Sequence, residues 1–123
     1  MNDRIKLLYV DDEPINLKLL EINLKKHYKI VTALNGYAGL DALDKNPDTE
    51  VVIADMKMPQ MTGIEFIKRA KNKYGHMKFY ILSGFEISDE IQEALDAQII
   101  LEYFQKPFDV NNIQKAIRKS VDS

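Results

Sequence analysis

The stretch LYVDDEP, Leu8–Pro14, turns an apolar run into three consecutive acids and then a proline. An apolar run that stops at acids reads as a buried strand reaching its end. A proline directly afterwards suits the first position of a helix, where no backbone donor is needed. The stretch is therefore the joint of a strand-to-helix unit: IKLLYV (5–10) supplies the strand, and Leu17, Leu20 and Leu24 recur downstream at helical spacing. Like charges side by side repel one another. Asp11, Asp12 and Glu13 at a strand end thus require something positive beside them.

The same unit recurs along the chain. YKIVTA (28–33), EVVIA (50–54), KFYILS (78–83) and LEYF (101–104) are short, β-branched or aromatic, and bounded by polar or turn residues, as strands are. Between and after them come helical spacings: Leu40 and Leu43; Ile64, Ile67 and Ala70; Ile91, Ala94 and Leu95; Ile113, Ile117 and Val121. Helix starts are marked by Pro14 behind an acidic cap, Asn35 before Gly36, Thr62, Ser88 and Asp109. Five strand-then-helix units predict a parallel sheet with helices on both faces, because parallel strands need crossovers and these are right-handed. The first and third strands are the most uniformly apolar and are expected at the centre. With 123 residues, no repeat of constant period and no low-complexity linker, the expectation is a single domain spanning 1–123.

Composition narrows the chemistry. No cysteine is present, which excludes disulfides, thiolate metal sites and cysteine nucleophiles. His27 and His76 stand far apart without other ligand-type neighbours, so no histidine zinc site is expected. A net charge of −2, with both signs spread along the chain, offers no nucleic-acid surface. There is no signal-peptide pattern and no run of the ~20 apolar residues that span a bilayer. The composition reads as a soluble cytoplasmic domain without direct nucleic-acid or membrane partners.

In open parallel sheets the ligand sits beyond the carboxyl ends of the strands. The residues there are Asp11 and Asp12, Asp55, Ser83 and Gly84, and Lys106 and Pro107. Carboxylates gathered in a cleft repel, and a hard divalent cation relieves that repulsion; Mg2+ prefers carboxylates, a backbone carbonyl, waters and phosphate oxygens. A cation, a lysine and a free carboxylate together suit phosphoryl acceptance. Asp55 is the candidate acceptor, giving an acyl phosphate. Mg2+, Lys106 and the Ser83 hydroxyl or a loop amide would then cover the three phosphoryl oxygens.

LLYVDDEP, VVIADMKMPQMTG, ILSG and YFQKPF together resemble, in order and spacing over essentially the whole chain, the receiver domain of two-component response regulators. The resemblance implies a flavodoxin-like (βα)5 doubly wound sheet with strand order 2-1-3-4-5. It implies Asp55 as the phosphorylation site, Asp11 and Asp12 as the acidic pair holding Mg2+, and the Lys57 backbone carbonyl as a further metal ligand. Ser83 becomes the switch hydroxyl, Lys106 the phosphate-contacting lysine and Tyr103 the aromatic switch, with a cis Lys106–Pro107 bond. The implied partners are a sensor histidine kinase or histidine phosphotransfer protein, and a downstream target on the face formed by the fourth helix, fifth strand and fifth helix. The implied role is a switch rather than an enzyme, with self-phosphorylation and weak self-dephosphorylation only. Lys57 and Phe85 would flank the phosphoryl group and set its lifetime. DAQIILEYF departs from the family, with Gln98 and Ile99 where a Gly-Ala pair is common and one more residue before Tyr103.

Plainer readings exist for each piece. The acids could merely cap a helix and complement its dipole; Met56, Met58 and Met61 are best read as gap-filling core residues; Ser83 could be an incidental hydroxyl and Tyr103 a packing residue. An aspartyl-nucleophile, Mg2+-dependent phosphohydrolase resembling haloacid dehalogenases would start from a first-strand D-x-D, whereas DDE is contiguous here. A degenerate receiver serving as a scaffold would not need Asp11, Asp12, Asp55, Ser83 and Lys106 together. No G-x-x-x-x-G-K-[ST] loop for nucleotide hydrolysis is present. With no output domain expected, a stand-alone regulator, a phosphorelay intermediate and a receiver cut from a longer chain remain open.

Overall fold

The computed structural model describes residues 4–84 and 87–121. Strands and helices alternate: β1 Ile5–Val10, α1 Pro14–Leu24, β2 Tyr28–Ala33, α2 Gly36–Lys45, β3 Val51–Asp55, α3 Gly63–Lys73, β4 Lys78–Ser83, α4 Asp89–Asp96, β5 Glu102–Gln105 and α5 Val110–Val121. All strand pairs are parallel, and their order across the sheet is β2-β1-β3-β4-β5. β1 and β3 are therefore central, as their apolarity predicts, and β4 shares that burial. Among the described residues no helix is long and apolar enough to cross a membrane.

The period of two along a strand divides the core. Leu8, Val10, Val52, Ala54, Phe79 and Ile81 face one way and pack with Leu43 of α2, Ile64, Phe66 and Ile67 of α3, and Ile91 and Ala94 of α4. Leu7, Tyr9, Val51, Ile53, Tyr80 and Leu82 face the other way and meet Leu17, Leu20 and Leu24 of α1 and Ile113 and Ile117 of α5. Each fully buried aliphatic side chain contributes about 1.5–3 kcal/mol. Met58 and Met61 are buried in the first of these layers and Met56 packs against it, so the methionines fill gaps in the core.

All five predicted helix starts hold, although the first has no capping side chain. Asn35 accepts from the Ala38 amide, Ser88 from Ile91, and Asp109 from Asn111. Thr62 and Glu65 form a reciprocal capping box, worth about 1 kcal/mol. Glu13 stands at the N-cap of α1 without any side-chain capping bond. The acid that acts there is Asp11, whose Oδ1 accepts from the Glu13 amide at 3.0 Å. Two strands are shifted by one residue: β3 ends on Asp55 rather than before it, and β5 begins at Glu102 rather than Leu101.

The departure at DAQIILEYF has a definite form. Gln98, at φ 59°, takes the left-handed conformation that glycine usually supplies after a helix. Its amide bonds Leu95 O at 3.1 Å, and the Ile99 amide reaches Ala94 O at 2.9 Å. This double closure ends α4 and returns the chain to β5, where Leu101 N bonds Phe79 O at 2.8 Å.

Candidate functional site

The carboxyl ends of β1, β3 and β5 bring together residues that lie up to 95 positions apart in sequence. Asp11 follows β1 and is fully buried, Asp55 ends β3 and is 6% exposed, and carboxylate oxygens of Asp11, Asp12 and Asp55 all lie within 4.8 Å of one another. Lys106 follows β5, and its Nζ lies 3.0 Å from Asp11 Oδ2 and 3.3 Å from Asp55 Oδ1. Its backbone is held by a hydrogen bond from its own N–H to Ser83 O at 2.8 Å. The positive charge that the acids require is thus Lys106.

Asp12, Asp55 and Lys106 open onto a cleft of about 710 Å3 lined also by Asn16, Lys57 and Gly84, among others, with Asp11 buried behind them. A slightly larger groove, about 780 Å3, runs between α1 and α2 and contains none of the three clustered carboxylates, so size does not identify the site here. Among the described residues Asp12 makes no hydrogen bond or ion pair. It offers a free carboxylate at the cleft mouth.

One lysine does not balance the acids. Burial, and next the charge of Asp11, push the Asp55 carboxyl up to about 6, against the pull of Lys106. Burial pulls the Lys106 ammonium down, but its bond to Asp11 and the charges of Asp55 and Asp11 outweigh burial and raise it. Lys106 therefore stays charged at neutral pH, while Asp55 is ionised against resistance. Three hard carboxylate oxygens with a residual negative charge are the donor set that Mg2+ takes. The residues present fit that ion.

The loop after β3 is built to hold Asp55. Gln60, at φ 71°, centres a tight turn in which the Met61 amide bonds Pro59 O at 2.8 Å. The Gly63 amide then closes on Met56 O at 2.9 Å. A Cβ on Gly63 would stand 2.3 Å from Asp55 O, so only glycine lets the start of α3 approach the strand end so closely.

Ser83 is buried at the end of β4, and Tyr103 is half-buried on β5, packed against the α2-α3-α4 layer. The register pairs Ile81 with Tyr103 and Ser83 with Gln105. By alternation Ser83 and Tyr103 share the sheet face opposite Tyr80 and Phe104 and are diagonal neighbours on it. The Lys106–Pro107 bond is cis. Phe85 lies outside the described residues. The sequence reading passed over Tyr9, whose hydroxyl donates to Asp11 Oδ2 at 2.6 Å, and Gly63. The signals were present: Tyr9 lies two residues before Asp11 and hence on the same strand face, and a glycine directly after a cap residue is costly in a helix unless space demands it.

Comparison with known proteins agrees with this fold. The family model described as response regulator receiver domain matches residues 7–118. The chain is 38% identical over 116 residues to sporulation initiation phosphotransferase F of Bacillus subtilis, covering 93% of this chain and 91% of that protein. It is 34% identical over 108 residues to a chemotaxis protein CheY homolog of Campylobacter jejuni, covering 85% and 82% respectively. The solved structure of Vibrio cholerae chemotaxis protein CheY4 superposes with a TM-score of 0.86 at 28% identity, over 95% of this chain and 98% of that one. With the flavodoxin-like sheet and the acidic cleft, this match makes the chain a member of the response regulator receiver domain family.

Proposed function

We propose that Asp55 is the phosphoacceptor of a two-component or phosphorelay switch, taking its phosphoryl group from the phosphohistidine of a sensor kinase or a histidine phosphotransfer protein. The observation that carries this reading is the placing of Asp55. It stands between a lysine 3.3 Å away and two further acids, at the floor of an open cleft. The relative named a phosphotransferase supports a relay donor or acceptor in particular.

An Asp55 carboxylate oxygen attacks phosphorus, the P–N bond to the donor imidazole breaks, and the imidazole, already protonated on its other ring nitrogen, leaves as the neutral ring with the electron pair of that bond. Lys106 turns to a phosphoryl oxygen, and the Ser83 hydroxyl donates to another, which offsets charge that develops in transfer. Asp12, Asp55, the Lys57 carbonyl and Asp11 would hold Mg2+. Bound there, the ion would neutralise phosphoryl charge and relieve the mutual repulsion of the acids. Residues 1–123 act as one receiver unit, and its output is a change in the face formed by α4, β5 and α5.

The test is intact-mass analysis after incubation with acetyl phosphate and Mg2+. One phosphoryl group should add to the wild type, acid-stable and base-labile as acyl phosphates are, and none to Asp55→Asn. Undiminished labelling of Asp55→Asn would refute the assignment.

A further inference from the structure

Tyr9 takes no part in the transfer chemistry above, yet its hydroxyl lies closer to Asp11 Oδ2, at 2.6 Å, than Lys106 Nζ does, at 3.0 Å. Two donors thus meet on one oxygen, and the Glu13 amide occupies the other at 3.0 Å. Tyr9 is 1% exposed and Asp11 0%, so in the resting form both are shielded from bulk water. The ring belongs to the core layer beneath α1 and α5, and its hydroxyl reaches the buried Asp11 carboxylate.

Lys106 is shared, with its ammonium between Asp11 and Asp55. A phosphoryl group on Asp55 brings close to two negative charges at pH 7 and draws that ammonium away from Asp11. We propose that Tyr9 is a positioning residue that keeps the Asp11 carboxylate satisfied while Lys106 is handed over to the phosphoryl group. The proposal rests on the phosphoacceptor reading of Asp55.

Before the handover Asp11 has three donors. Afterwards it retains the Glu13 amide on Oδ1 and the Tyr9 hydroxyl on Oδ2, and the Tyr9 bond tightens because its competitor has left. With phenylalanine at position 9, Oδ2 would keep no protein donor once Lys106 has moved. An unmade bond to a buried charged acceptor costs more than a made one returns. That cost falls on the phosphorylated form and not on the resting form, where Lys106 still serves Asp11, while Mg2+, saturating in both forms, cancels from the difference. The hydroxyl therefore sets how readily Lys106 is released.

The experiment is a titration with beryllofluoride, a phosphoryl mimic, at saturating Mg2+. Tyr9→Phe keeps the ring and should bind the mimic about tenfold more weakly than the wild type. In a Lys106→Ala background, where there is no ammonium to hand over, the same substitution should change affinity by less than about twofold. Equal affinity of wild type and Tyr9→Phe overturns the proposal, and so does an undiminished tenfold loss in the Lys106→Ala background, which would mark a purely structural role. A wild type that fails to bind the mimic overturns the phosphoacceptor reading and this proposal together, and is recognised because the unsubstituted protein fails. Should Tyr9→Phe not fold, the Tyr9 hydroxyl proton of the wild type gives an independent readout by NMR. It should move downfield on adding the mimic, and an unmoved signal counts against the handover.

Discussion

Replacing Asp55 by asparagine should make the metal-free protein more stable, although it removes a charge that Lys106 contacts at 3.3 Å. Burial and the neighbouring Asp11 raise the Asp55 carboxyl from an ordinary 3.8 to about 6 despite that contact. The charged form is thus held in the folded protein at a net cost of about 3 kcal/mol. The folded state binds the Asp55 proton more tightly than the unfolded state does. Wild-type stability therefore falls as pH rises from about 4 through about 6, and the full cost is present above that. Asparagine preserves volume and carries no charge, so Asp55→Asn escapes this window.

In urea melts with a chelator present, Asp55→Asn should exceed the wild type by about 2–3 kcal/mol at pH 8. The gap should close through pH 6 and be nearly gone at pH 4. For a chain of 123 residues the gain corresponds to a rise in Tm of about 8–12 °C at the higher pH. Equal stabilities across the range, or a less stable variant at pH 8, would show that the Lys106 attraction outweighs burial and the Asp11 repulsion, and the electrostatic account of the cleft would fall.

Mg2+ should raise the Tm of the wild type by mass action; Asp12→Ala should weaken that effect, and its apo stability should be equal to or above the wild type's. A large loss of apo stability with unchanged Mg2+ affinity would return the acids to a capping role. Gln98→Gly should stabilise the fold by about 0.5–1 kcal/mol, because glycine removes the left-handed strain after α4 at some cost in chain entropy; no gain in denaturant midpoint would count against it. With beryllofluoride and Mg2+, amide NMR signals of residues 101–108 should shift, and Ser83→Ala should bind the mimic yet shrink those shifts. Shifts of undiminished size would mean that coupling to Tyr103 does not run through Ser83.

Much of this was legible in sequence because it rests on local chemistry or on periodicity. Asn35, Thr62, Ser88 and Asp109 cap helices through side chains a few atoms long, and any chain that places them before an apolar period reads the same way. The two-residue period of β1 sorts Leu7 from Leu8 into opposite core layers before any neighbour is known. Asp11, Asp55 and Lys106 were legible for a different reason: the ends of parallel strands in an open sheet share one edge, and polar residues there have few structural duties. The left-handed Gln98 was visible only as an irregularity. Its conformation is imposed by the short return to β5, which overrides residue preference.

What the sequence hid is how differently it treats neighbours. Three adjacent acids look like one charge cluster, yet each meets another environment. Asp11 turns inward to Tyr9, Lys106 and the Glu13 amide, Asp12 lines the cleft, and Glu13 is exposed where the helix starts, without capping it. The backbone leaving β1 separates them, because side chains alternate along an extended chain and the helix then begins. The acid that remains in conflict comes from elsewhere. Asp55, 44 residues beyond Asp11, is pushed against it by the pairing of Val10 with Ala54 across β1 and β3. Sheet register, not sequence adjacency, thus creates the repulsion that a cation or a protonated Asp55 relieves. A phosphoryl group enlarges that negative charge at Asp55, and the lysine between the two acids is then drawn toward it.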